Sequence, residues 1–214
     1  MSDLKRTVLY DAHVAAGATM VDFGGWDMPI QYPSGIIAEH LYCRSVCGIF
    51  DVSHMGRLDI EGPEAVAYLQ HVLSSNVLAL DLNQSQYALL PNAEGGVIDD
   101  VYLYRFEEAR YLLVINAGNI DKDLEHLYNE AKAFDVKITN VSDKYASIAV
   151  QGPKSKDILQ TLHGGEELLV ENVKNALATT TMEGKPVRIA KTGYTGEPLG
   201  FELYCNSEDA HYFW

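Results

Sequence analysis

Apolar and polar positions in this chain fall into short runs of two different periods. Up to Tyr32 no helical period is visible, and the segment Phe23-Gly24-Gly25-Trp26-Asp27-Met28-Pro29 reads as ordered loop with short strands. Ser34 can N-cap a helix over roughly Gly35 to Cys47, which Gly48 can end. A short apolar strand, Ile49-Phe50-Asp51-Val52, follows. The pattern then predicts a strand at Arg57 to Glu61 and a helix opened by Pro63 and running to Leu73. Strands come next at Gln86 to Leu90 and Val97 to Phe106. The second pairs with Tyr111 to Asn116 across Glu107-Glu108-Ala109 as a hairpin. Asn119 can cap a helix to about Phe134, in which Ile120, Leu124, Leu127, Ala131 and Phe134 share a face. Val136 to Val141 returns as a strand.

That order, β-α-β-β-β-α-β, is close to a split β-α-β, ferredoxin-like unit with one added strand. Beyond it the pattern predicts a strand at Ala146 to Val150, a helix at Lys154 to Leu162, and strands near Ala178 to Met182, Pro186 to Lys191 and Phe201 to Tyr204. The fold class is α+β with mostly antiparallel pairing. No internal repeat or low-complexity segment is visible. Asn206 or Ser207 reads as an N-cap, and Glu208 to Trp214 as the start of an amphipathic helix that the chain does not complete. Domains seldom stop on an exposed Phe-Trp pair, so the expectation is a portion of a longer protein that, made alone, is inactive and binds its ligand poorly.

Composition narrows the function classes. The chain has 214 residues, 47% apolar and 21% charged, with a formal net charge of −14. An acidic surface argues against nucleic acid, which needs clustered Lys and Arg, and against an anionic membrane surface. No apolar run approaches the length of a membrane span, and the first residues lack a signal-peptide core. The expected compartment is the cytoplasm of a bacterium, or the mitochondrial matrix in a eukaryote. Cys43, Cys47 and Cys205 are too few and too scattered for a disulfide framework. His40, Cys43 and Cys47 fall at helical spacing as potential metal ligands. With no fourth ligand in sight, the cysteines read as small apolar residues on a buried helix face.

The strongest chemical signal is Gly95-Gly96-Val97-Ile98-Asp99-Asp100-Val101, two carboxylates opening an apolar strand. Alternation puts Asp99 on one face with Val97, Val101 and Leu103, and Asp100 on the other with Ile98, Tyr102 and Tyr104. A carboxylate in aliphatic company is poised for a proton or a cationic partner. The plainer alternative is a turn aspartate that bonds backbone amides after the Gly-Gly pair.

Six segments taken in order resemble the glycine cleavage system T-protein, a tetrahydrofolate-dependent aminomethyltransferase. They are Gly17-Ala18-Thr19-Met20-Val21-Asp22-Phe23-Gly24-Gly25-Trp26 with Met28-Pro29, Phe50-Asp51-Val52-Ser53-His54-Met55-Gly56, Gly95-Gly96-Val97-Ile98-Asp99-Asp100, Asn116-Ala117-Gly118-Asn119, Val150-Gln151-Gly152-Pro153, and Thr192-Gly193-Tyr194-Thr195-Gly196-Glu197. The resemblance implies a T-protein-like folate-binding fold of three subdomains. The first would be residues 1–50 plus 142–214, and the second, ferredoxin-like, residues 51–141. The third, a C-terminal barrel, would lie beyond this chain with about the last two-fifths of the family's sequence. It implies transfer of a methylene unit from the aminomethyl-lipoyl arm of the H-protein to tetrahydrofolate, with release of ammonia and no metal.

By resemblance Asp99 is the family's catalytic carboxylate, and Glu202 the glutamate that meets adjacent pterin N–H groups with two parallel hydrogen bonds. Without the resemblance Glu202 would read as a solvent-facing strand residue alternating with Phe201 and Leu203. Met55, Tyr87, Asn116 and Tyr194 are placed by the same resemblance at the folate channel. His54 is assigned no proton-transfer role. The family pattern Gly-Tyr-Thr-Gly-Glu-Asp-Gly-Phe-Glu is departed from at Pro198-Leu199, where the loop gains a residue and loses an acid. Folate is an anion, so local Lys or Arg must offset the acidic balance. Two alternatives share the fold: a folate-dependent demethylase or the folate module of a sarcosine or dimethylglycine oxidising enzyme, and a non-enzymatic folate-binding relative. The first often carries a flavin domain, whose Gly-x-Gly-x-x-Gly fingerprint is not seen here; the second would be expected to lack the Gly-Gly-x-x-Asp-Asp carboxylate.

Overall fold

The computed structural model describes residues 4–163 and 173–214. By internal contacts it divides into two compact units: Met1–His54, Lys144–Lys174 and Ala178–Trp214 form one, Met55–Asp143 and Asn175–Leu177 the other. Along the chain the elements are α1 (Tyr10–Ala15), β1 (Thr19–Phe23), β2 (Trp26–Gln31), α2 (Ile36–Ser45), β3 (Gly48–Asp51), β4 (Gly56–Glu61), α3 (Ala65–Val72), β5 (Gln84–Pro91), β6 (Val97–Glu107) and β7 (Arg110–Ile115). They continue as α4 (Ile120–Ala131), β8 (Lys137–Asn140), β9 (Tyr145–Gln151), α5 (Ser155–Leu162), β10 (Leu177–Met182), β11 (Lys185–Ala190), β12 (Gly200–Asn206) and α6 (Ala210–Phe213). No helix among the described residues is long and apolar enough to cross a membrane.

In the second unit the strands form one sheet in the order β5-β6-β7-β4-β8, and every pair is antiparallel. Inward-facing Leu58, Ile60, Leu90, Val101, Leu103, Leu113 and Ile115 pack against Tyr68, Leu69 and Val72 of α3 and Leu127 of α4. The helical period of α4 explains the docking, since Ile120, Leu124 and Ala131 also lie against this core. The predicted hairpin is present as β6 and β7, with Leu103 opposite Leu113.

In the first unit the sheet order is β10-β11-β12-β9-β3, so β12 and β9 are internal strands with neighbours on both sides. On one face of the sheet Ala146, Ile148 and Val150 of β9 stand opposite Cys205, Leu203 and Phe201 of β12, and on the other face Ser147 and Ala149 stand opposite Tyr204 and Glu202; all of them are buried.

Four expectations are corrected here. Helix α1 lies in the segment read as loop. It is too short to show a period and is held by His13, which is fully buried, 3.0 Å from Asp51 and 2.9 Å from the Tyr32 hydroxyl. Ser34 does not cap α2; Gly35 takes the N-cap position with φ of 82° and no side-chain cap. Asn119 does not cap α4 with its side chain, because that amide is engaged elsewhere. Phe213 is buried, and the Trp214 ring packs edge-on against His13 at 4.9 Å, so this pair is not the exposed one expected.

One local device occurs twice, although the sequence likeness is confined to Gly-Pro. Strands β4 and β9 are each followed by Gly-Pro, with Gly62 at φ 134° and Gly152 at φ 130°, and a helix comes next. Two residues on, Glu64 N donates to Asp135 O and Lys154 N donates to Val46 O. A Cβ on Gly152 would lie 2.5 Å from Cys43 O and 2.8 Å from Val46 O. Both obstacles are backbone and cannot swing aside. Gly152→Ala is therefore expected to cost about 2 kcal/mol or more, from positive-φ strain together with overpacking. Denaturant unfolding measures it, and a loss below about 0.5 kcal/mol, the range of neutral surface changes, would contradict the packing described.

Candidate functional site

Asp99 is the first buried residue of β6, at 5% exposure. The turn before it is organised without Asp99. Asn92 Oδ1 accepts from Gly96 N at 2.7 Å and from Glu94 N at 3.2 Å, so the turn-aspartate alternative is not what forms. The Asp99 carboxylate instead faces the start of the segment leading into α4. Oδ2 accepts from Asn116 N at 3.0 Å, and Oδ1 accepts from Asn116 Nδ2 at 3.0 Å and Asn119 Nδ2 at 2.7 Å.

That geometry explains why Asn119 is spent away from the helix cap. A buried carboxylate loses its hydration and needs donors to replace it. Asp123, fully buried in the first turn of α4, completes the group: its carboxyl oxygens meet no donor among the described residues, and it and Asp99 shift each other's pKa. Burial pushes the Asp99 carboxyl up, but hydrogen bonds from Asp123, Asn116 and Asn119 outweigh it and hold the group below the usual carboxylate range. Burial, followed by the bond to Asp99 and its charge, pushes Asp123 up to about 8.

Around this centre, Asn116 Nδ2 also reaches Asp100 O at 2.9 Å and Asp100 Oδ1 at 3.2 Å. Tyr87 on β5 is half exposed; partial burial and then the Asp100 carboxylate raise its hydroxyl pKa. Its ring meets Tyr102 edge-on at 6.2 Å. Asn116 and Tyr87 are thus brought together with the Asp99–Asp100 pair. Met55 lies in the same unit, half-buried immediately before β4. Asn119 and Asp123 were missed as site residues. The signal for both was present as polar residues on the buried face of an otherwise amphipathic helix start.

In the first unit, Glu202 is buried at 5% exposure on β12, which overturns the solvent-facing alternative. Its cross-strand neighbours are Ala149 on β9 and Ala190 on β11, which leave room beside the carboxylate. The Thr192 hydroxyl donates to Glu202 Oε2.

Gln151, fully buried at the end of β9, organises the loop that carries Tyr194. Its Nε2 donates to Thr192 O and to Phe201 O, each at 3.1 Å, and its Oε1 accepts from Thr195 Oγ1 at 2.8 Å. A Cβ on Gly193 or Gly200 would come within 2.4 Å of the Gln151 amide, so that amide needs glycine on both sides. Arg44 on α2 pairs with Glu197 and donates to Thr195 O at 3.0 Å, while Gly152 N donates to Leu199 O at 2.9 Å. The loop is therefore held on both sides of Pro198, and Tyr194, between the Gln151-bonded Thr192 and Thr195, stands 66% exposed. Gln151 and Thr192 were quoted in motifs but given no role; only the packing against glycine singles them out.

His54 is buried and packs edge-on against Phe23 at 5.8 Å. Cys43 and Cys47 are buried in and just beyond α2 while His40 is exposed, and burial raises both thiols. Among the described residues no group of three or more His, Cys, Asp or Glu side chains is arranged to hold a metal ion.

Residues 9–214 match the family model described as GCVT N-terminal domain. The chain is 49% identical over 211 residues to an aminomethyltransferase of Deinococcus deserti, covering 99% of this chain and 58% of that protein. It is 47% identical over 207 residues to an aminomethyltransferase of Thermus thermophilus, covering 97% of this chain and 58% of the relative. The chain thus spans about three-fifths of the length of these curated relatives. The crystal structure of the glycine cleavage system aminomethyltransferase T from Bartonella henselae superposes with a TM-score of 0.89 at 35% identity, over 98% of this chain and 56% of that one.

The low pKa of Asp99 fixes a sign. A carboxyl held below its unfolded value adds stability above that value, and the contribution is lost as pH falls through the folded one. Asn119→Ala removes a donor to the charged form. It is expected to raise the Asp99 pKa and cost about 1.5–3 kcal/mol near neutral pH, the range for hydrogen bonds to charged groups. Carboxyl-carbon NMR titration with urea unfolding tests both; an unmoved Asp99 titration would contradict the role given to Asn119.

Proposed function

The chain belongs to the glycine cleavage T-protein family, marked by the GCVT N-terminal domain. From that premise we propose that it serves an aminomethyltransferase reaction. A one-carbon unit would pass from the aminomethyl-lipoyl arm of the H-protein to tetrahydrofolate, and ammonia would be released. The observation that carries this reading is Asp99, a buried carboxylate kept ionised by donors from the segment that joins β7 to α4.

Tetrahydrofolate as co-substrate supplies the amine that accepts the one-carbon unit. Asp99 accepts a hydrogen bond from that amine, fixes its lone pair, stabilises positive charge beside it, and takes or returns a proton. Asn116 and Asn119 hold the carboxylate so that no reorganisation is needed when charge develops. Glu202 meets the donor edge of the pterin. Its burial beside two alanine neighbours supports that role, since small side chains leave space next to the carboxylate. Tyr87 and Tyr194 present aromatic surface, and rings of that kind stack on a pterin. Asn116 and Met55 are assigned to ligand contact by the same reading. The partners are the lipoylated H-protein and tetrahydrofolate, with no metal required and a soluble compartment expected.

Asp99→Asn keeps the shape and removes the charge. It is expected to lower turnover by about 10²-fold or more, the scale of a positioned acid–base group, with far less effect on folate affinity. Ammonia release from aminomethylated H-protein by the intact protein is the assay, and near-normal turnover would overturn the assignment. Glu202→Gln is expected to weaken tetrahydrofolate binding by about 1.5–3 kcal/mol. Calorimetry decides, and unchanged affinity would remove Glu202 from the pterin site.

A further inference from the structure

We infer that Asp99 and Asp123 act as one unit holding a single proton, in which Asp123 is the neutral acid that donates to Asp99 and keeps it ionised. Asp123 is then a positioning residue for the Asp99 carboxylate. Only its catalytic consequence rests on the function proposed for Asp99.

The donor inventory carries the inference. Asp123 is fully buried, and among the described residues no N–H or O–H donor meets either of its carboxyl oxygens. The nearby donors Asn116 N, Asn116 Nδ2 and Asn119 Nδ2 all aim at Asp99. Lys122, adjacent in sequence, turns its Nζ to Ile98 O at 2.7 Å. Its charge favours ionised Asp123 less than burial and Asp99 oppose it. The other groups facing this end of α4 do not help. From β6 come Asp99 and the acidic Asp100, and from β5 Tyr87, whose hydroxyl lies by Asp100. From α3, the Tyr68 hydroxyl donates to Leu127 O and His71 pairs with Glu130, both further along the helix.

A second buried negative charge there would lack both donor and counter-ion, at a cost of several kcal/mol. Protonation removes the cost and turns Asp123 into a further donor to Asp99. Two carboxyl groups in contact settle in this way with one proton between them.

The consequence for chemistry is a base that gives back what it takes. When Asp99 removes a proton from the substrate amine, the N–H bond breaks, an O–H bond forms and the pair becomes neutral. The Asp123 hydrogen bond stabilises the ionised form of Asp99, so it favours return of that proton to the leaving amine. Asp123 also sets a pH window for stability. It is protonated in the folded chain and ionised in the unfolded chain above about pH 4. The folded state therefore binds the extra proton, and stability falls as pH rises from about 4 to about 8, then levels.

The test needs no folate. Urea stability is measured from pH 5 to 9 for the chain and for Asp123→Asn, whose amide can still donate to Asp99. Infrared spectra are recorded in parallel for the protonated carboxyl carbonyl. The expected result is a decline with pH in the unsubstituted chain that is flattened in Asp123→Asn. A protonated-carboxyl band should be present at pH 7, absent in Asp123→Asn, and titrate at lower pH in Asp99→Asn. No such band at pH 7, or a band that survives in Asp123→Asn, would overturn the proposal. Should Asp123→Asn not fold, the band in the unsubstituted chain and its downward move in Asp99→Asn decide alone. Because these readouts contain no reaction, they stand or fall separately from the turnover of Asp99→Asn.

Discussion

A carboxylate taken out of water must find replacement donors, and the Asp99 side chain imposes that demand on one end of the second unit. The donors come from two places that only the folded topology unites. Asn116 ends the hairpin partner strand β7, and Asn119 stands at the entry to α4. The apolar core beneath, from Val101 and Leu103 to Leu127, brings β6 and α4 to a fixed separation. Burial of aliphatic surface thus sets the place of the charge, and hydrogen bonds set its orientation. The helix gives up a side-chain cap at Asn119 in exchange, a loss of the order of 1 kcal/mol.

The first unit applies the same logic with a neutral amide. Gln151 is buried at the end of an internal strand, and its amide satisfies two carbonyls and one hydroxyl of the loop that carries Thr192 and Tyr194. Glycines at positions 193 and 200 make the space that amide occupies. The result is a loop whose backbone is fixed while the Tyr194 ring stays exposed, and a Glu202 carboxylate flanked by alanines rather than by bulky neighbours. Rigid support beneath exposed chemistry is the arrangement expected of a binding loop.

Much of the fold was legible because its elements carry strong local signals. The α4 periodicity, the β6–β7 hairpin and the helix opened by Pro63 each follow from residue types at fixed spacing. The misses have physical causes. Helix α1 is made by His13, whose partners Asp51 and Tyr32 are distant in sequence, so no local pattern announces it. Glu202 alternates with apolar residues in a way that suits a half-exposed strand, and only tertiary packing over that face of the sheet buries it. At the site, Asp99 stood out because charge and strand pattern conflict at its position. Asp123 did not, because a helix start rich in Asp is the ordinary preference of the helix dipole.

The central claim is that Asp99 meets the substrate as an ionised carboxylate. A crystal structure of the protein with tetrahydrofolate tests it most directly. The account predicts a folate amine nitrogen within hydrogen-bond distance of an Asp99 carboxylate oxygen, with the Asn116 and Asn119 contacts preserved. A bound folate whose amines lie away from Asp99, leaving the carboxylate with only its Asn116, Asn119 and Asp123 partners, would contradict it.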